Sequence, residues 1–171
     1  NCQPVYCNRW RQPVTVSESR PNVFPWPPVI YGIAILAGAL SGYVLPLPWV
    51  GSPLSDFLFG IGLMLIAVAL FIDFRAMQLM HAHKTTIMPN KGASHLVTGG
   101  PFGFSRNPIY LANTMLTVGA GLMSGIVWFL PFAAIAAIVT QELAIKREEQ
   151  HLSAKFPKAW RDYTKKVRRW L

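Results

Sequence analysis

Apolar and polar positions divide the chain into long uncharged stretches separated by short basic ones. From Pro21 to Ser55 no residue is charged, and the apolar heart of that stretch runs from Val29 to Leu47. At about 1.5 Å of rise per residue, a helix over this heart covers the hydrocarbon thickness of a bilayer. Pro27 and Pro28 open it, and Pro46, Pro48 and Pro53 close it, so the interior keeps its N–H donors. Ser55 and Asp56 then read as the N-cap of a second helix, Phe57 to roughly Met80. Its uncharged run ends at Ile72, where Asp73 and Arg75 bring it to an interface.

A further uncharged stretch, Ile109 to Gln141, is 33 residues long. One straight helix of that length would measure about 50 Å against a core of about 30 Å, while two full spans would need about 40 residues. Gly119, Gly121, Ser124 and Gly125 offer a break in the middle. The stretch therefore reads as a hairpin, Pro108–Gly121 and then Gly125 to about His151. Its second arm leaves the apolar zone near Gln141 and continues as a charged helix, and Pro131 should kink it.

Composition agrees with this pattern. Of 171 residues 52% are hydrophobic and 13% charged, and the 13% is about half the usual share of soluble domains. Mean hydropathy is +0.33. A net charge of +9 would suit a nucleic-acid partner, but no basic groove interleaved with aromatics is present. The basic residues flank the apolar runs instead. Arg9, Arg11 and Arg20 precede the first, Arg75, Lys84, Lys91 and Arg106 lie between the second and third, and nine more follow from Lys146 to Arg169. The connections Pro46–Asp56 and Gly119–Gly125 hold none, so all 16 fall on one face, which the positive-inside rule makes cytoplasmic. The expected fold is all-α: an integral membrane bundle of four (or five) spanning helices, including a C-terminal hairpin, with both termini cytoplasmic. It forms one domain, with a tail and two spans over 1–80 and a loop, hairpin and basic C-terminal segment over 81–171.

Candidate chemistry lies in two places. The polar stretch from Lys84 to Asn113 carries Gly99-Gly100-Pro101, which forces a turn, and Arg106-Asn107-Pro108 at the start of the third helix. Free N–H groups at a helix start and an arginine together suit an anionic ligand group. A topogenic arginine at an ordinary helix start fits these residues equally well. The second place is Lys146–Tyr163, where Glu148 and Glu149 are two of only seven acids. A carboxylate there could accept hydrogen bonds from a ligand amine or ribose hydroxyl, or could merely offset its basic neighbours. Phe156, Trp160, Tyr163 and Trp170 form an aromatic, basic tail suited to lying on anionic lipid.

Other chemistries lack support. His81 and His83 are about 200° apart on a helix, His95 and His151 stand elsewhere, and Cys2 and Cys7 alone make no zinc site. No metal is expected. No GxSxG, P-loop or GxGxxG occurs.

The run Leu96-Val97-Thr98-Gly99-Gly100-Pro101-Phe102, followed by Ser105-Arg106-Asn107-Pro108-Ile109-Tyr110, resembles the LVTxGPYxxxRHPxY signature of the isoprenylcysteine carboxyl methyltransferase family, which stands with the phospholipid methyltransferases. Glu148-Glu149, Leu152, Phe156 and Tyr163 resemble that family's EExxLxxxFGxxYxxY tail. The resemblance covers about residues 84–170. It implies methyl transfer from S-adenosylmethionine to a lipophilic small molecule or lipidated acceptor at the membrane. It also implies a cofactor site of His95, Leu96, Val97, Gly100, Phe102, Arg106, Asn107, Pro108, Tyr110 and Glu148, with Arg106 and Glu148 as the catalytic pair. Helical geometry turns Glu149 about 100° away, towards solvent and neighbouring Lys or Arg. Asn107 stands where the family has His, Phe102 where it has Tyr, Pro157 for Gly and Trp160 for the first tyrosine. Ala144 replaces an arginine that eukaryotic members use for substrate, which leaves the acceptor open. A non-catalytic membrane scaffold and an NADPH-dependent membrane reductase with an HPxY-like motif are the alternatives.

Overall fold

The structure is a computed structural model that describes residues 26–82 and 96–171. Among these residues every element is helical: α1 (Trp26–Val44), α2 (Leu54–Ala82), a 3₁₀ turn (Gly100–Gly103), α3 (Pro108–Ser124), α4 (Phe129–Thr140), a π turn (Gln141–Ile145), α5 (Lys146–Lys155) and α6 (Pro157–Lys166).

Three helices are long and apolar enough to cross a membrane: Pro27–Val44, Leu54–Ala82 and the continuous Phe129–Lys155. Their outward faces carry Leu36, Leu40, Phe57, Phe71 and Phe74, each at least 60% exposed. Aromatic and aliphatic surface of that extent needs a hydrocarbon solvent. The fourth helix of the bundle, α3, has 17 residues and lies along α2. The proline punctuation of α1 is as the sequence implies, with Pro27 and Pro28 in the first turn, where no intrahelical donor is lost.

Close approach of α2 and α3 depends on one glycine from each. A Cβ at Gly62 would lie 2.8 Å from the Gly119 carbonyl oxygen, and one at Gly119 would lie 2.9 Å from that of Gly62. Gly119 is therefore a packing residue inside α3, not a helix breaker. The same holds for Gly121, so the hairpin break falls later than the sequence suggests. It comes at Gly125, whose φ of 69° gives the left-handed C-cap that ends α3. The second arm begins at Phe129, and Pro131 occupies its first turn and costs it no hydrogen bond. Pro131 at that position therefore supplies no cause for the expected kink.

Two other expectations shift. Helix α2 begins at Leu54, so Asp56 lies within its first turn and accepts a hydrogen bond from the Ser52 hydroxyl at 2.8 Å. The arm from α4 to α5 also winds through a π turn, in which the Lys146 N–H bonds to the Gln141 carbonyl five residues back. The extra residue per turn rotates the charged helix α5 relative to the apolar α4.

Candidate functional site

Helices α2, α3 and the α4–α5 arm bring the two sequence motifs to one end of the bundle. Pro101 is buried at the start of the 3₁₀ turn, and Gly100 supplies the positive φ of 57° that the turn requires. A Cβ on Gly100 would also meet the Leu79 side chain of α2 at 3.4 Å, so this turn rests on the end of α2. Backbone from Thr98 to Gly100 is exposed, and nothing lies within 4 Å of the position a Gly99 Cβ would take.

Pro108 is the first residue of α3 and is fully buried. Two residues on, the Tyr110 hydroxyl donates to Glu148 Oε2 at 3.2 Å. From below, the Tyr31 hydroxyl of α1 lies 2.5 Å from that of Thr114, and Thr114 donates to the Tyr110 carbonyl at 2.9 Å. Tyr110 is thus held at its backbone by α1 and α3, and at its ring tip by α5. Glu148 is exposed as a residue, and its carboxylate keeps lone pairs for further hydrogen bonds.

Glu149 differs sharply. Its side chain is 14% exposed, accepting from Arg169 Nε at 3.1 Å and Nη2 at 2.6 Å, and it pairs with Arg106 Nη1 at 3.2 Å. Glu149 thus meets neighbouring arginines as expected, but in a largely buried cluster and not in weak surface pairs. A bidentate, half-desolvated pair is far stronger than a surface one. The Glu149 carboxylate also holds the Arg169 guanidinium above its ordinary pKa. Adjacent residues on a helix point about 100° apart, and here that angle separates two environments. Lys146, Glu149, Gln150 and Ser153 line one side of α5, facing an open cleft of about 330 Å³ that Trp160 and Arg169 close. Glu148 lies on the other side with Tyr110.

Arg106 carries a second contact, its guanidinium lying 5.5 Å from the centre of the Trp160 ring. It is engaged by Glu149, not by Glu148. Asn107, only 7% exposed, donates from Nδ2 to the Arg169 carbonyl at 3.1 Å and from its backbone N–H to the Ser105 hydroxyl oxygen at 3.2 Å. Phe102 contributes its carbonyl, which accepts the Tyr163 hydroxyl at 2.6 Å. Leu96 packs on a cluster of Trp160, Tyr163 and Val167, and Val97 is half-buried beside it in sequence. His95 lies outside the described residues.

The C-terminal aromatics correct another expectation. Trp160 and Tyr163 are buried inside the protein, and the Trp170 indole donates to Gln141 at 2.9 Å, so this face of the tail covers protein, not lipid. Burial pushes the Tyr163 phenol up to about 12 despite the nearby Arg106 cation. The sequence gives no sign of the strap Val167–Trp170, of Tyr31 beneath Tyr110, or of the π turn. Each depends on partners far apart in the chain.

Comparison with known proteins matches this arrangement to a family. A relative is the nickel-cobalt-cadmium resistance protein NccN of Alcaligenes xylosoxydans xylosoxydans, 31% identical over 75 residues. That stretch is 44% of this chain and 35% of the relative, so the chain spans about a third of the length of the protein it matches. The family model for phospholipid methyltransferases matches residues 57–159, a range that holds the 3₁₀ turn, Arg106, Tyr110 and both glutamates. With more than half of its length matched, including the residues that meet at Tyr110 and Glu148, the chain belongs to the phospholipid methyltransferase family.

Proposed function

We propose that the chain is a membrane methyltransferase that uses S-adenosylmethionine to methylate a lipophilic acceptor at the cytoplasmic face. The observation that carries the reading is the contact between Tyr110 and Glu148, which joins the two motif segments beside exposed glycine backbone. The residues suit the cofactor's chemistry. Glu148 offers a carboxylate for an amine or a ribose hydroxyl, and the exposed Thr98–Gly100 segment has open space beside Gly99. Arg106 offers a cation for a carboxylate, although Glu149 already shares it. When bound, S-adenosylmethionine supplies a methyl group already activated on a sulfonium. The protein's task is then to align the acceptor and exclude water, with no covalent enzyme intermediate required.

Orientation follows from charge. Arg75, Arg106 and the basic residues of α5, α6 and the C-terminal segment gather at the end of the bundle that holds the site. That end is the cytoplasmic one by the positive-inside rule, with α3 taken as the fourth span. The exposed apolar faces of α1 and α2 fit a hydrocarbon acceptor that arrives through the bilayer. The relative's name speaks of metal resistance. The methyltransferase reading rests instead on the family match and on the residues that meet at Tyr110 and Glu148.

The test is incubation of the purified protein with methyl-labelled S-adenosylmethionine and a membrane extract, then identification of the labelled product. Calorimetric binding of S-adenosylhomocysteine without binding of NADPH supports the reading. Binding of NADPH alone would point to a reductase, and silence to both ligands would point to a scaffold.

A further inference from the structure

We infer that the C-terminal strap Val167–Trp170 is a clasp that fixes Arg106 in the site, and that Glu149 is the positioning residue joining strap to motif. The inference rests on the methyltransferase reading above and deepens it.

The Ser105–Asn107 turn has only short local structure of its own, yet it makes three hydrogen bonds to the strap. The Arg106 N–H donates to the Arg168 carbonyl at 3.0 Å, Asn107 Nδ2 to the Arg169 carbonyl at 3.1 Å, and the Ser105 hydroxyl to the same carbonyl at 3.4 Å. These acceptors are backbone atoms, so the bonds hold whatever side chains the strap carries. Ser105 and Asn107 are buried, and buried polar groups that lose their partners are costly. The strap is itself fastened at both ends. Val167 is buried against Trp160 and Tyr163, and Trp170 reaches the first residue of the π turn.

Glu149 closes the arrangement from α5. One carboxylate bridges Arg169 of the strap and Arg106 of the turn, with Trp160 against the Arg106 guanidinium. Two cations share a single anion, so loss of Glu149 leaves two guanidiniums facing each other in a partly desolvated place. Repulsion then acts on the strap and the turn together. The clasp also gives Asn107 a structural role, since its Nδ2 anchors the strap.

Hydrogen exchange and ligand binding test the inference on full-length protein in detergent. Glu149→Gln should speed exchange of the Arg106 amide and the strap amides by about ten- to a hundredfold, the range for a lost charged hydrogen bond. Amides of α2 and α3 should keep their wild-type rates. The same variant should raise the S-adenosylhomocysteine Kd about tenfold or more. In an Arg106→Ala background Glu149→Gln should change that Kd by less than about twofold, because a positioning residue acts only through its target. Unchanged exchange at Arg106 in Glu149→Gln overturns the inference, as do additive losses in the double variant. If Arg106→Ala does not fold, the exchange measurement decides alone. Wild-type protein that binds no S-adenosylhomocysteine overturns the methyltransferase reading and this inference with it. Wild-type binding with an unaffected Glu149→Gln overturns only the latter.

Discussion

Tyr110 and Glu148 lie 38 residues apart in sequence, and their side chains meet at 3.2 Å where α3 begins and α5 emerges from the bundle. The contact gives Glu148 a fixed orientation without consuming its capacity as an acceptor, since a carboxylate has about four lone-pair sites. Glu148→Gln should therefore weaken S-adenosylhomocysteine binding by about 1.5–3 kcal/mol, and Tyr110→Phe by about 0.5–1.5 kcal/mol. Calorimetric titration of both variants checks this. A Tyr110→Phe loss larger than that of Glu148→Gln would mean that the tyrosine, not the carboxylate, is the ligand's main partner.

Helix packing offers a test that needs no ligand. Gly62 and Gly119 each sit under 3 Å from the other's carbonyl oxygen once a Cβ is added, and backbone cannot swing aside as a side chain can. Gly119→Val should cost about 1–3 kcal/mol or more, as overpacking does, and should lower the thermal midpoint in detergent. Gly60→Ala, on the open face of the same α2 helix, should leave the midpoint unchanged. Equal behaviour of the two variants would mean that α2 and α3 do not approach as described.

Tyr163 predicts an alkaline limit. Its folded-state pKa of about 12 lies above the ordinary 10.0, so the protein favours the neutral phenol. That contribution to stability is fully present below about pH 10 and is lost as pH rises through 12. Thermal melts between pH 9 and 11 should show a decline in wild type that is shallower in Tyr163→Phe. The variant should also lose about 0.5–1.5 kcal/mol at neutral pH with the bond to the Phe102 carbonyl.

Orientation can be read by cysteine labelling after Cys2 and Cys7 are replaced by serine. Lys155→Cys should react only with reagent supplied from the cytoplasmic side, and Gly51→Cys only with reagent from the opposite side. The reverse pattern would invert the topology.

Hydropathy and charge by themselves determined the membrane class, the helical architecture and the clustering of basic residues at one end. These follow from composition summed over long segments, where the cost of exposing backbone or burying charge leaves few alternatives. Prolines 27, 28 and 46 likewise marked the ends of α1, because a missing N–H acts locally. The motif residues Arg106, Tyr110 and Glu148 were also legible in the sequence, and the fold brings them to one end.

What only the tertiary structure decided is which glycine packs and which one turns, and which glutamate faces which partner. Gly119 and Gly125 look alike in sequence, but Gly119 meets Gly62 on another helix while Gly125 takes a left-handed φ. Glu148 and Glu149 are adjacent and chemically identical, and the π turn sets the rotation that sends one to Tyr110 and the other to Arg106 and Arg169. Periodicity fixes the angle between neighbouring residues, but the absolute facing of a helix comes from the partners it packs against, and those arrive from distant parts of the chain.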